Sequence, residues 1–69
     1  MERQPVSSTS LCSVGYDLKE HILEIEFQSG EVYDYFDVPR EVYVELMHAD
    51  SHGQYFIQNI RDQYRFEHC

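Results

Sequence analysis

Between His21 and Gln28 the side chains alternate: Leu23, Ile25 and Phe27 are apolar, whereas Glu24 and Glu26 are charged. A period of two puts the apolar groups on one face of an extended strand and the carboxylates on the other. A helix would scatter both sets around its circumference. Such a strand also needs partners, because a lone half-apolar ribbon is not stable in water. The flanking segments supply them. Leu11-Cys12-Ser13-Val14-Gly15-Tyr16 places Cys12, Val14 and Tyr16 on one face, and Asp17-Leu18-Lys19-Glu20 is polar enough to turn. Glu31 to Phe36 is rich in Val, Tyr and Phe, which suit a pleated surface. The spacing predicts a three-stranded antiparallel meander over about 10–17, 21–28 and 31–38.

The loop of the second hairpin decides where Tyr33 and Tyr35 point. A two-residue loop, Ser29-Gly30, pairs residue 27 with residue 32 and puts Asp34 on the apolar face beside Ile25. A three-residue loop, Gln28-Ser29-Gly30, pairs residue 27 with residue 31. Gly30 then takes the left-handed third position, where glycine carries no steric cost. Tyr33 falls opposite Ile25, Tyr35 opposite Leu23, and Asp34 turns to solvent beside Glu24. Burying an unpaired carboxylate costs several kcal/mol, against at most ~1 kcal/mol for two solvated like charges side by side. The three-residue loop is therefore expected.

Val38-Pro39 opens a helical half, since proline is pre-set for a first helical turn and Asp37 suits the positive end of the helix dipole. A helix over 39–48 puts Val42, Tyr43 and Leu46 on one stripe. Ser51-His52-Gly53-Gln54 has the form of a capping box, so Ser51 should start a second helix over 52–64, with Phe56, Ile57, Ile60 and Tyr64 at helical spacing. The expected fold is α+β: the meander with both helices packed on one face. Residues 10–66 form the single domain, 1–9 a flexible Ser-rich arm, and 67–69 a frayed end.

Composition narrows the function. The 69 residues carry 5 Lys+Arg against 13 Asp+Glu, a net charge of −8, which disfavours non-specific nucleic-acid binding and docking on anionic membranes. No apolar run approaches a membrane span, and Met1 to Pro5 does not read as a signal peptide, so a cytoplasmic protein is expected. Cys12 and Cys69 are read as free thiols. So short a chain has few core residues to enclose a deep pocket, and its carboxylates and hydroxyls show no spacing suited to acid–base or nucleophilic work. Neither catalysis nor a cofactor is expected. His48-x-x-x-His52 has metal-ligand spacing, but a break between helices falls inside it, and His68 and Cys69 lie at the chain end, so no metal site is assigned.

Two sets of residues are candidates for binding. Gln54, Gln58, Arg61 and Arg65 form a polar stripe at helical spacing with Arg40 nearby, the one place where phosphate could be gripped. Tyr33 and Tyr35 could stack bases, yet the register turns them toward the helices and their neighbours are Glu24, Glu26, Glu31, Asp34 and Asp37.

A longer pattern runs through these segments: Val6-x-Ser8, Val14-Gly15-Tyr16-Asp17, Leu23-x-Ile25-x-Phe27-x-x-Gly30, Tyr33-x-Tyr35, Val38-Pro39, Ala49-x-Ser51-x-Gly53-x-Tyr55-Phe56 and Ile60-Arg61-x-x-Tyr64. In this order and spacing it resembles the KTSC domain, a short module found at the C-terminus of some lysyl-tRNA synthetases and as free-standing bacterial proteins. Ile57 departs from the Asn expected after Tyr55-Phe56. The resemblance implies a bacterial intracellular module of unestablished function, and its context points to tRNA or other RNA as a partner. It also marks Tyr33, Tyr35, Ser51, Gly53 and Tyr55 as motif residues, read here as structural. The expected function is a non-catalytic binding or accessory module, RNA-associated by resemblance. The alternative is a protein–protein adaptor or small homodimer with an acidic face, which the charge balance favours.

Overall fold

A computed structural model describes every residue from Met1 to Cys69. In chain order the elements are β1 (Arg3–Pro5), β2 (Leu11–Asp17), β3 (Ile22–Phe27), β4 (Val32–Tyr35), α1 (Arg40–His48), α2 (His52–Asn59) and β5 (Phe66–His68). The strands form one antiparallel sheet in the order β1-β2-β3-β4-β5. Both helices pack on a single face of it.

The hairpin register is the one the three-residue loop dictates. Ile25 faces Tyr33, Leu23 faces Tyr35 and Glu24 faces Asp34. The Phe27 N–H donates to the Glu31 carbonyl at 2.9 Å, the Gly30 N–H donates to the Phe27 carbonyl at 2.9 Å, and Gly30 sits at φ 95°.

The expected count of three strands is too low. The segments read as an arm and a frayed end supply the other two, β1 and β5. Gly15 is the physical reason β1 fits: a Cβ there would lie 2.9 Å from the Glu2 carbonyl oxygen and 3.0 Å from the Arg3 Cγ. Only a residue without a side chain lets the first strand cross so closely. At the other end, α2 stops at Asn59, five residues before the expected limit of 64. Ile60 is fully buried and leaves helical geometry at φ −124°, with its own N–H and that of Arg61 both donating to the Phe56 carbonyl. The chain then doubles back so that the Arg65 carbonyl accepts the Phe36 N–H at 2.9 Å, which aligns β5 on β4. Helix α1 begins at Arg40, with Pro39 as its N-cap residue rather than inside its first turn.

The core lies between the sheet and the helices. Leu11, Val14, Leu23 and Ile25 rise from β2 and β3 to meet Leu46 of α1, Phe56 and Ile60 of α2, and Val38 from the connecting loop. Tyr16 stacks on Tyr43 with ring centres 4.9 Å apart, and its hydroxyl donates to the Val38 carbonyl. The Ser51 hydroxyl caps α2 by accepting the Gln54 N–H at 3.2 Å. The Tyr55 hydroxyl ties the helices together by donating to Glu45 Oε1 at 2.6 Å.

The opposite face of the sheet is polar. The Arg3 guanidinium donates to the Ser13 hydroxyl at 3.0 Å, and that hydroxyl donates to Glu26 Oε1 at 2.8 Å. Arg3 also lies 3.4 Å from Glu24. One cation from β1 thus tempers the carboxylate stripe of β3. No helix is long and apolar enough to cross a membrane.

Candidate functional site: an aromatic groove beside the helices

Two short helices cannot cover five strands. They cap β2 and β3 and leave the inner face of β4 and β5 partly open as a groove of about 620 Å³. Its floor is aromatic. Phe56 meets Phe27 and Tyr35 edge-on, at 5.3 and 5.5 Å between ring centres. Tyr35 is only 4% exposed, and this burial is the main reason its hydroxyl pKa is pushed up to about 12, with the nearby Tyr33 adding to it. Tyr33 is half-buried. It stacks on His68 of β5 at 4.6 Å and tilts against Phe66 at 5.7 Å.

The rim differs from the floor. Ile57 on α2 is 47% exposed and Phe66 on β5 is 51% exposed, so both offer apolar surface directly to solvent. Glu31, Arg61 and Asp62 complete the margin, and Arg61 lies 3.7 Å from Asp62. Near the loop, His68 Nε2 is 3.9 Å from Glu31. The groove is therefore apolar inside, with one cation and two carboxylates at its mouth.

The expected polar stripe does not form one helical row. Gln54 and Gln58 are exposed on α2, but Arg61 and Arg65 lie beyond its end. Arg61 reaches the groove margin, whereas the Arg65 guanidinium sits 4.8 Å over the Phe36 ring. Arg40 opens α1. Of the motif residues, Tyr33 and Gly53 border the groove with Tyr35, while Ser51 and Tyr55 make the cap and the inter-helix tie. A Cβ on Gly53 would come 3.1 Å from the Ser10 hydroxyl, so this glycine lets the loop before β2 approach α2.

The histidines at 48 and 52 each donate Nδ1–H to a backbone carbonyl, of Val44 at 3.0 Å and Leu46 at 2.8 Å. Elsewhere, Glu24, Asp34 and Cys69 bring potential ligand atoms within 4.8 Å of one another on the polar face. Desolvation, followed by the Asp34 carboxylate, raises the Cys69 thiol pKa. The Arg3 guanidinium already neutralises Glu24 from the side.

Phe66, which lines the groove, and His68, which stacks on Tyr33, were not found from the sequence, because both fell outside the expected elements. Their signal was faint: a Phe-Glu-His alternation three residues long.

Residues 7–64 match the family model of the KTSC domain. This chain belongs to the KTSC domain family. A crystal structure of a KTSC domain protein from Yersinia pestis superposes with a TM-score of 0.97 at 35% identity, covering 99% of this chain and 96% of that one. An uncharacterised protein of Stutzerimonas stutzeri is 48% identical over 67 residues, 96% of this chain and 94% of its own length. A lysine–tRNA ligase of Nostoc punctiforme is 46% identical over 52 residues, which are 75% of this chain and 9% of that enzyme. The KTSC domain therefore occurs both as a small protein and as a minor part of a tRNA ligase.

Proposed function

We propose that this KTSC domain is a non-catalytic binding module whose aromatic groove receives an apolar side chain of a partner protein. The observation that carries this reading is the exposure of Phe66 and Ile57 at the mouth of a groove floored by Phe27, Tyr35 and Phe56. Apolar surface gathered in a concavity is the usual form of a binding site. Ligand charge then separates the partner classes. A phosphate backbone approaching this mouth meets Glu31 and Asp62 with Arg61 alone to oppose them, on a chain of net charge −8. An uncharged or cationic protein segment meets no such barrier.

A second reading is favoured by one observation: the Tyr33–His68 stack resembles the aromatic platforms that hold unpaired bases. The lysine–tRNA ligase relatives make tRNA the natural candidate.

NMR titrations of the full chain separate the two. N-acetyltryptophanamide, an uncharged aromatic probe, should shift signals of Tyr33, Ile57 and Phe66, while tRNA at low salt should leave them unmoved. If tRNA shifts these residues, its binding weakens with salt and Arg61→Ala reduces it, the RNA reading replaces ours. If neither probe shifts them, the groove is not a site.

A further inference from the structure

The groove is bordered on one side by a sheet edge, and the backbone of that edge is directional. In β5 the Arg65 carbonyl accepts the Phe36 N–H, and the Cys69 N–H donates to the Val32 carbonyl. Glu67, midway between them, lies opposite Asp34. These alternate residues therefore turn their N–H and C=O groups inward to β4. By the same alternation Phe66 and His68 turn theirs outward, where the sheet order places no further strand. Phe66 and His68 are also the residues of β5 whose rings pack on Tyr33, Phe66 lining the groove and His68 stacking beside it. Free hydrogen-bonding groups and rings packed on Tyr33 thus belong to the same two residues.

The two edges of the sheet are not equivalent. On β1 the central sequence is Arg3-Gln4-Pro5, and a proline lacking its N–H blunts an edge against pairing. β5, Phe66-Glu67-His68, contains neither proline nor lysine, and all three residues are exposed.

We propose that the outer edge of β5 takes up an extended basic segment of a partner protein as a sixth, antiparallel strand. The segment has apolar side chains opposite Phe66 and His68 and a Lys or Arg opposite Glu67. Residues directly opposite in a ladder share a face. The two apolar side chains thus extend the aromatic face of the groove, while the basic one joins Glu67 and Asp34 on the acidic face. Net charge also disfavours a second copy of this chain as occupant. Symmetric pairing about residue 67 would set Glu67 against Glu67 and bring together two chains of net charge −8 each. The inference deepens the groove reading and rests on it, adding the mode of docking, a main-chain ladder.

The test is an NMR titration of the full chain with an end-blocked seven-residue peptide. Lysine occupies its odd positions, and phenylalanine, valine and tyrosine its even ones. The peptide should slow amide exchange at Phe66 and His68 and shift Tyr33. N-methylation of the even residues, whose N–H groups would face β5, should abolish binding, whereas N-methylation of the odd residues should leave it intact. Glu67→Lys should weaken the lysine peptide about two- to five-fold and strengthen a glutamate version by a similar factor. Several results would overturn the proposal. If even-position N-methylation changes nothing while Tyr33 and Ile57 still shift, strand addition is wrong and the groove reading survives. If no residue shifts, strand addition fails, and the N-acetyltryptophanamide titration decides the groove reading separately. A dimer by light scattering that the peptide cannot dissociate would assign the edge to a second copy. An RNA oligonucleotide that protects Phe66 and His68 where the peptide does not would assign it to nucleic acid.

Discussion

The two halves of the sheet's inner face are built from different chemistry. Over β2 and β3 the side chains are mainly aliphatic: Leu11, Val14, Leu23 and Ile25 meet Leu46 and Ile60, and all six are fully buried. Over β4 and β5 they are aromatic and graded, from Tyr35 almost buried, through half-buried Tyr33, to Phe66 half in water. Aliphatic groups yield most of their free energy by leaving water completely. Aromatic rings keep a usable face and a polar tip when only half covered. The covered half is therefore the source of stability, and on the function proposed above the open half is the source of recognition.

That division is sharpest under truncation. Leu23→Ala, in the covered half, should cost ~3 kcal/mol in urea unfolding, a large share of the stability of so short a chain. An effect below ~1 kcal/mol would place the core elsewhere. Gly15→Val comes next. Its side chain would strike the Glu2 carbonyl and the Arg3 stem, so β1 should lift away at a cost of ~2 kcal/mol, seen as faster amide exchange at Val6, whose N–H now donates to the Cys12 carbonyl.

Tyr35 stands on the boundary between the halves and gives a pH test. Its folded pKa, about 12, lies above the ordinary tyrosine value of 10.0 because of burial. The neutral ring is favoured in the fold, so its stabilising contribution is fully present below pH 10.0 and is lost as pH rises toward about 12. Tyr55, also raised to about 12 by desolvation and its bond to Glu45, acts in the same direction. Unfolding midpoints measured across this range should fall steeply, and less steeply in Tyr35→Phe; an unchanged slope would show that Tyr35 is not the group being titrated. The smallest effect belongs to the rim: Arg61→Ala, at an exposed ion pair, should change stability by no more than ~0.5 kcal/mol.

The covered half was largely legible in the sequence. Its strand is written in the Leu23-Glu24-Ile25-Glu26-Phe27 alternation, and its register follows from Gly30. Asp34 leaves the apolar face as expected but does not reach solvent fully, since its Oδ1 is buried without a hydrogen-bond partner. The open half was not, because its limits depend on chain segments whose own patterns are too short to read. Arg3-Gln4-Pro5 contains a proline, and Phe66-Glu67-His68 has one apolar group. Both become strands only because a neighbouring strand offers them a ladder. Gly15 was the available hint, since a glycine inside a strand marks close backbone approach. The length of α2 misled for a related reason: Tyr64 and the arginines continue the helical spacing, but burial of Ile60 and the return to β4 override local preference. Without β5, Tyr33 reads as core and the groove has no outer wall.

The most direct test sets Phe66→Ser beside Leu23→Ala, with urea unfolding and titration by the lysine-bearing peptide run on both variants. The account predicts that Phe66→Ser stays within ~1 kcal/mol of the parent chain, because half of its ring is already in water, yet loses the peptide. A Phe66→Ser variant as destabilised as Leu23→Ala, or one that binds the peptide like the parent, would contradict it.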